Sequence, residues 1–520
     1  MEKKYINQLH NPCSYPDETR NVKMLQTHIS YLFLTDNYVY KIKKPVDYGF
    51  LNFTTLDRRR FYCEEEVRLN RRLCPDVYLG VVQIRDSEQG ISLCGDGNII
   101  DYAVKMRRLP EDRMLSELLR KEAVDESDIR SIAATIAAFH NAAERSADID
   151  KYGDISVISQ NWDENFRQVA DFVGITLDRR DLDLISQWVY SFLERHSELF
   201  SERVETGHIR DCNGDIHSEN ICLEDKVCIF DCIEFNERFR YIDTAADIAF
   251  LLMDFDYHGK SKFSDVFEDE YTALSGDTGM AGVIDFYKLY RAFVRGKVES
   301  FKLNDPGMNS DEKRAAAKSA ERHFRLARGY VLRQKLLPSL VIFSGLMGTG
   351  KSTLAAELAY ELGVELVKSD VIRKQIAGIP LTERCLDNFN EGIYSAEYTR
   401  KTYRQMLEKA ESALASGESI ILDASFGKKE DREPFRSLAG RTGAGLFIIN
   451  TTCPDQVAKT RLESRILDVG EPSDGRWELF HQQKGEFDPI EDYEGKRISP
   501  DTSEPLHENM NAILHFLGLC

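Results

Sequence analysis

From residue 340 onward the apolar positions fall into short runs separated by longer segments of helical spacing. Leu340-Val341-Ile342-Phe343-Ser344 reads as a buried strand and Lys351 to Leu362 as a helix. A second short strand, Glu365-Leu366-Val367, leads into a helix from Asp370, and a long helical stretch runs from about Glu391 to Ala415. Ser419 to Asp423 and Gly445 to Asn450 supply a third and a fourth strand. Strands of this kind, alternating with helices, predict a parallel sheet covered on both faces.

The first half has a different texture. Residues 29 to 42 and 77 to 106 alternate apolar and polar positions, which suits an antiparallel sheet, with a helical run from about Leu56 to Leu73 between them. Beyond Glu111 the pattern is mostly helical, interrupted near residues 207 to 234 by two short strands. Asn304-Asp305-Pro306-Gly307 breaks the chain, and Pro338 precedes the first strand of the second half, so the joint is expected at 330 to 338. Two domains follow, 1–330 and 338–520, the first divided into a small β-rich lobe over about 1–108 and a helical lobe over about 109–330.

The bulk numbers fit this division. At 520 residues the chain exceeds one ordinary core. With 42% hydrophobic and 30% charged residues, it has the composition of a globular protein that folds in water. A net charge of -19 argues against broad binding to nucleic acid or anionic membrane. No apolar stretch follows Met1 to Lys4, and no window resembles a membrane span, which points to a cytoplasmic protein. Eleven cysteines in that setting are expected to be reduced thiols. Cys212, Cys222, Cys228 and Cys232 lack the paired spacing of a zinc site and read as core residues.

Gly345 to Ser352 matches GxxxxGK followed by Ser or Thr, with a strand before it and a helix after it. Gly345, Gly348 and Gly350 let the backbone curl so that N–H groups converge on phosphate oxygens, with Thr349 and Thr353 in the same cradle. Lys351 is expected to reach the β and γ phosphates of ATP and Ser352 to bind Mg²⁺. Asp423 ends its strand where a second carboxylate helps to hold that magnesium.

Lys368-Ser369-Asp370-Val371-Ile372-Arg373 puts an acid and an arginine at the end of the second strand, at the crevice where open parallel sheets bind ligands. The segment resembles the Ser-Asp-x-x-Arg element of P-loop small-molecule, polynucleotide and zeta-toxin-like kinases. That resemblance makes Asp370 the group that orients or deprotonates the acceptor hydroxyl, and Arg373 a substrate-holding residue. Arg461 and Arg465, four apart on a predicted helix, are similar to the lid arginines of nucleoside-monophosphate-kinase-like folds, or else form a solvated face.

In the first half the informative stretch is Asn213-Gly214-Asp215-Ile216-His217-Ser218-Glu219-Asn220, followed by a strand and Asp231. Asp215, Asn220 and Asp231 supply a carboxylate for an attacking hydroxyl and two oxygen ligands for magnesium. The stretch resembles the aminoglycoside phosphotransferase family, which carries His-Gly-Asp-x-His-x-x-Asn and a metal-binding Asp on the next strand, in a protein-kinase-like fold. Asn213 replaces the usual His. The resemblance makes Asp215 the catalytic base and Asn220 with Asp231 the metal ligands. Lys41 is then the lysine that contacts ATP, with Lys43 as the alternative, Glu66 is its partner, and residues 102–109 are the hinge. A glycine-rich loop upstream of Lys41 is missing.

The whole chain thus resembles bacterial proteins that fuse an aminoglycoside-phosphotransferase-like domain to a P-loop kinase domain. The fold implied is an α+β bilobal kinase-like domain followed by an α/β P-loop domain with a parallel sheet. The function implied is an ATP-dependent phosphotransferase acting on a small hydroxylated acceptor, with a second Mg-ATP site in the first half. A polynucleotide 5'-kinase activity competes with it, although residues 335–520 hold 22 Lys and Arg against 29 Asp and Glu, a net of -7. A terminal nucleotide remains compatible with that charge. Two further readings stay open: a non-catalytic nucleotide or metabolite sensor in the first half, and a nucleotide-driven switch in the second.

Overall fold

The computed structural model describes residues 3–49, 51–88, 90–93, 95–381, 383, 385, 391–465 and 475–519. The chain divides into two compact units, Met1–Phe324 and Arg325–Cys520. Helix Ser310–Arg333 contains the point of division.

The first unit opens with a six-stranded antiparallel sheet. Its strands lie in the order Lys23–Gln26, Ser30–Leu34, Tyr38–Lys43, Asn98–Arg107, Tyr78–Ser87, Gly90–Ser92. Alternation sets its two faces: Phe33, Tyr40, Ile42 and Ala103 go into one cluster and Val104, Met106 and Tyr78 into another. The second cluster receives helix Leu56–Asn70 through Cys63 and Val67. Thr55 starts that helix by accepting the Arg58 N–H, which satisfies one of its unpaired first-turn donors.

The rest of the unit is helical except for four short strands in two pairs, where the sequence pattern had suggested two strands. Ile209–Asp211 pairs with Tyr241–Asp243, and Ile221–Leu223 pairs with Val227–Ile229. Each strand is only three residues long, so its periodicity is hard to read from sequence.

The cysteine expectation is corrected at one pair. Cys74, just past helix Leu56–Asn70, and Cys228 form a disulfide, their Cα atoms 5.0 Å apart. The hairpin carrying Cys228 packs into the same cluster as Cys74, which brings the two within bonding range although 154 residues separate them. Cys212, Cys222 and Cys232 are buried free thiols.

The second unit is a five-stranded parallel sheet in the order Glu365–Lys368, Ile420–Asp423, Ser339–Ser344, Gly445–Asn450, Lys496–Ile498. The central strand Ser339–Ser344 is buried along its whole length, which accounts for its unbroken apolar run. The last strand, Lys496-Arg497-Ile498, is largely exposed and carries no such run, so the sequence pattern did not reveal it.

Helix Lys351–Leu362 is clamped from one side by the end of helix Ser310–Arg333. Arg328 pairs with the buried Glu361, and Arg325 pairs with Glu357 at 2.5 Å. Gly329 lies so close that an added Cβ would sit 1.6 Å from the Glu361 carbonyl oxygen. Gly329→Ala therefore has to push the two helices apart, at a cost of about 1–3 kcal/mol. The expected result is a lower denaturant midpoint for the second unit, measured by urea unfolding.

Candidate active sites

In the second unit the register of the sheet builds the site. Asp423 lies opposite Phe343 on one side and Lys368 on the other. The loop from Gly345, the helix start at Ser369-Asp370 and Asp423 therefore leave one sheet edge at the same level. That edge is the carboxyl end of three neighbouring parallel strands, where such sheets bind ligands.

Gly345, Gly348 and Gly350 have φ of +138°, +76° and +83°, conformations costly for a residue with a Cβ. Close approach adds to the requirement, since a Cβ on Gly348 would lie 2.9 Å from Leu462. The loop ends at the N-terminus of helix Lys351–Leu362, whose N–H groups face the cradle. Lys351 Nζ donates to the Leu346 carbonyl at 2.7 Å, and Thr349 Oγ1 donates to the same carbonyl at 2.7 Å. Ser352 and Thr353 occupy the first turn of the helix.

The Ser352 hydroxyl lies near enough to the Asp423 carboxyl to lower its pKa. Burial pushes the Asp423 carboxyl above its usual range, while Lys351 and the Ser352 hydroxyl act against that rise. An oxygen pair of a hydroxyl and a carboxylate suits magnesium, a hard cation. Asp370 raises Asp423 further by its charge, which puts the two acids in one field.

Arg373 is buried between elements. It donates to the Ile393 carbonyl at 2.9 Å and to Thr399 Oγ1 at 3.2 Å, and it stacks against Tyr394. Its Nε is buried without a hydrogen-bond partner, and no carboxylate pairs with it among the described residues. Arg461 donates to Thr502 Oγ1 and to the Thr502 carbonyl at 2.7 and 2.6 Å, and Thr502 Oγ1 in turn donates to the Thr349 carbonyl at 2.8 Å. It braces the loop from behind and does not project as a lid residue. Arg465 ends its helix, and its side chain lies outside the described residues.

The first unit brings its candidates together around two loops. Asn220 Nδ2 donates to Asp215 Oδ2 at 3.0 Å, while the Asn220 Oδ1 makes no hydrogen bond among the described residues. The hairpin register Ile221↔Ile229 continues as a Phe230 N–H bond to the Asn220 carbonyl, so Asp231 follows directly beside Asn220. Burial pushes the Asp215 carboxyl up, but His217 and the arginines Arg295 and Arg291 outweigh it and hold the group below its usual range. The same partnership raises His217 against the effect of its own burial.

Asp231 has φ of +62°, a strained backbone for a residue with a Cβ, costing about 1–3 kcal/mol unless its surroundings fix it. Tyr78 Oη accepts its N–H at 3.1 Å, and Asn70 Oδ1 accepts the N–H of Cys232 at 2.8 Å. Lys41 Nζ binds Asp231 and lies 2.9 Å from Glu66 Oε1. Lys43 Nζ lies 2.7 Å from Glu66 Oε2 and also binds Glu234.

Sequence reading missed the support beneath the Asp215 loop. Asp247, fully buried, accepts the N–H groups of Asn213 and Gly214 at 2.9 and 2.8 Å and faces His140 Nε2 at 3.1 Å. Arg291 holds the Gly214 carbonyl at 3.0 Å. A lone acid in the apolar run from Thr244 to Leu252 was the available signal. Asn213, which stands where the resembling family has His, accepts the Asp215 N–H on its Oδ1 at 3.0 Å and so supports the loop itself.

A 30% identity over 498 residues, covering 95% of each chain, links this sequence to the uncharacterized protein Rv2004c of Mycobacterium tuberculosis. The chain belongs to that protein's family. A family model described as an AAA domain matches residues 340–490, the stretch that contains the phosphate cradle, Asp370 and Asp423. A shikimate kinase of Vibrio parahaemolyticus is 24% identical over 155 residues, 29% of this chain and 83% of that one. Among solved structures, a sugar kinase from Janibacter sp. HTCC2649 is 23% identical, with 35% of this chain and 96% of that chain covered and a TM-score of 0.28. The second unit has a parallel-sheet α/β fold with the phosphate-cradle loop at the end of its central strand.

The raised Asp423 carboxyl has a consequence for stability. Its folded form holds the proton more tightly than the unfolded chain does, so ionisation above that raised value destabilises the unit. Asp423→Asn is expected to raise the melting temperature of the second unit at pH 7 to 8, by about 2–4 °C for each kcal/mol released. The gain should shrink as pH falls through the raised value. Calorimetry across pH measures it.

Proposed function

We propose that the second unit transfers the γ-phosphoryl group of Mg-ATP to a hydroxyl of a small acceptor, and that the first unit is a second Mg-ATP phosphotransferase site. The observation that carries the first part is the common sheet edge shared by the Gly345–Ser352 loop, Asp370 and Asp423.

Backbone N–H groups of the cradle hold the phosphates, and Lys351 leaves the Leu346 carbonyl to bind the β and γ oxygens. Ser352 and Asp423 hold the magnesium, which when bound neutralises charge on the transferred group. Asp370 accepts the proton of the acceptor hydroxyl as the oxygen attacks. Arg373 offers a buried donor with no carboxylate paired to it among the described residues, which suits an acceptor bearing an anionic or carbonyl oxygen beside the hydroxyl. Similarity to a shikimate kinase supports a small acceptor over a polymer, and so does the net charge of -7 over residues 335–520.

In the first unit Asp215 is the base, Asn220 and Asp231 the metal ligands, and Lys41, braced by Glu66, the phosphate contact. The Asn220 Oδ1 and the Asp231 carboxylate are oxygen donors of the type magnesium takes.

Two measurements test this. Incubation of the full chain with γ-labelled ATP and a metabolite extract is expected to label one small hydroxylated compound. Lys351→Ala should abolish the transfer, and Asp370→Asn should slow it by tens of fold while leaving ATP affinity nearly intact. Label confined to polynucleotide 5' ends would replace the small-acceptor reading. Separately, calorimetry should count two Mg-ATP per chain, falling to one in Lys351→Ala and one in Asp231→Ala. A single site that survives Asp231→Ala unchanged would overturn the proposal for the first unit.

A further inference from the structure

Five ionic groups of the first unit form one unbroken sequence of contacts, from Glu234 to Lys43 to Glu66 to Lys41 to Asp231. Both ends lie on the same short loop, Asp231 to Glu234. Glu66, on helix Leu56–Asn70, gives one oxygen to each lysine of strand Tyr38–Lys43. Besides the hydrogen bonds to Tyr78 and Asn70, the loop thus has two ionic attachments to the small sheet and its helix.

The two attachments differ in exposure. The Lys43 side chain is 0% exposed and that of Glu234 is 5% exposed, whereas the Asp231 side chain is 43% exposed. Charges as buried as Lys43 and Glu234 need partners to offset their desolvation: Glu234 has Lys43, and Lys43 has both Glu234 and Glu66. Lys43 also sits over the Phe53 ring at 4.9 Å, which closes it off from water. The Lys41–Asp231 contact opens to solvent and offers groups that nucleotide and metal would claim.

We propose that Lys43 and Glu234 are positioning residues that keep the Asp231 loop in place while Lys41 and Asp231 exchange each other for phosphate and metal. The proposal rests on the reading of the first unit as an Mg-ATP site. When Lys41 turns to phosphate oxygens, Asp231 loses its only ionic tie among the described residues. The loop, strained at Asp231, then keeps its ionic link to the sheet, among the described residues, through Glu234 and Lys43. Glu66 is likewise kept in place by Lys43, so it stays beside Lys41 throughout. Lys43 never needs to touch ATP, which separates the roles of two lysines that the sequence alone left interchangeable.

The test uses the full chain carrying Lys351→Ala, so that nucleotide binding reports the first unit. In this background Glu234→Ala and Lys43→Met are each expected to raise the Mg²⁺ concentration for half-maximal ATP binding tenfold or more. ATP affinity without Mg²⁺ should change less than threefold in Glu234→Ala. Should either variant fail to fold, Glu234→Gln keeps the shape, removes the charge, and is expected to raise the Mg²⁺ requirement at least threefold. A Mg²⁺ requirement that stays unchanged in folded variants, even with a lowered melting temperature, would make the pair merely structural and overturn the proposal. Absence of Mg-ATP binding in the Lys351→Ala parent would instead withdraw the site itself, and the proposal with it.

Discussion

A carboxylate taken out of water is stable only where donors surround it, and this chain uses that requirement to fix the loops that carry its chemistry. Asp247 is wrapped by two backbone N–H groups and His140, and so holds the start of the loop bearing Asp215 and Asn220. Glu66 holds two lysines at a set spacing. In the second unit Glu494 binds the buried Arg432, whose guanidinium also gathers the Phe426 and Pro489 carbonyls below the sheet edge. Removing one partner of such a pair costs about 3–5 kcal/mol, because the remaining charge stays buried.

In the proposed function the two units bind phosphate by different means. The second uses backbone: glycines at positive φ and a helix start supply donors without side-chain entropy, and the parallel register aligns the acids. The first uses side chains, with a lysine and carboxylates drawn from a sheet, a helix and two loops. That difference decides what each unit tolerates. A cradle of backbone N–H groups survives most side-chain changes outside its glycines, whereas an ionic network depends on every member.

The same difference explains what was legible in the sequence. The second unit could be read closely because its site is local: Gly345 to Ser352 and Ser369 to Arg373 each state their geometry within a few residues, and the burial of Ser339–Ser344 leaves a plain apolar run. Strand Lys496–Ile498 escaped because an edge strand of three residues has no buried face to mark it. In the first unit Asp215, Asn220 and Asp231 were visible by spacing, but the partners that position them lie far off in sequence. Asp247 and Tyr78 declare themselves only once folding has brought them to Asn213 and Asp231. Lys41 and Lys43 share a face, and only the folded structure separates them, by giving Asp231 to the first and the buried Glu234 to the second.

The bond between Cys74 and Cys228 ties the first unit to its surroundings in another way. By the chain-entropy account, a crosslink across 154 residues removes about 5 kcal/mol of freedom from the unfolded chain. That contribution exists only while the sulfurs are joined, so it follows the ambient thiol–disulfide balance. The second unit has no disulfide among its described residues. One polypeptide therefore joins a fold whose resistance to unfolding varies with redox conditions to another that has no such bond among its described residues.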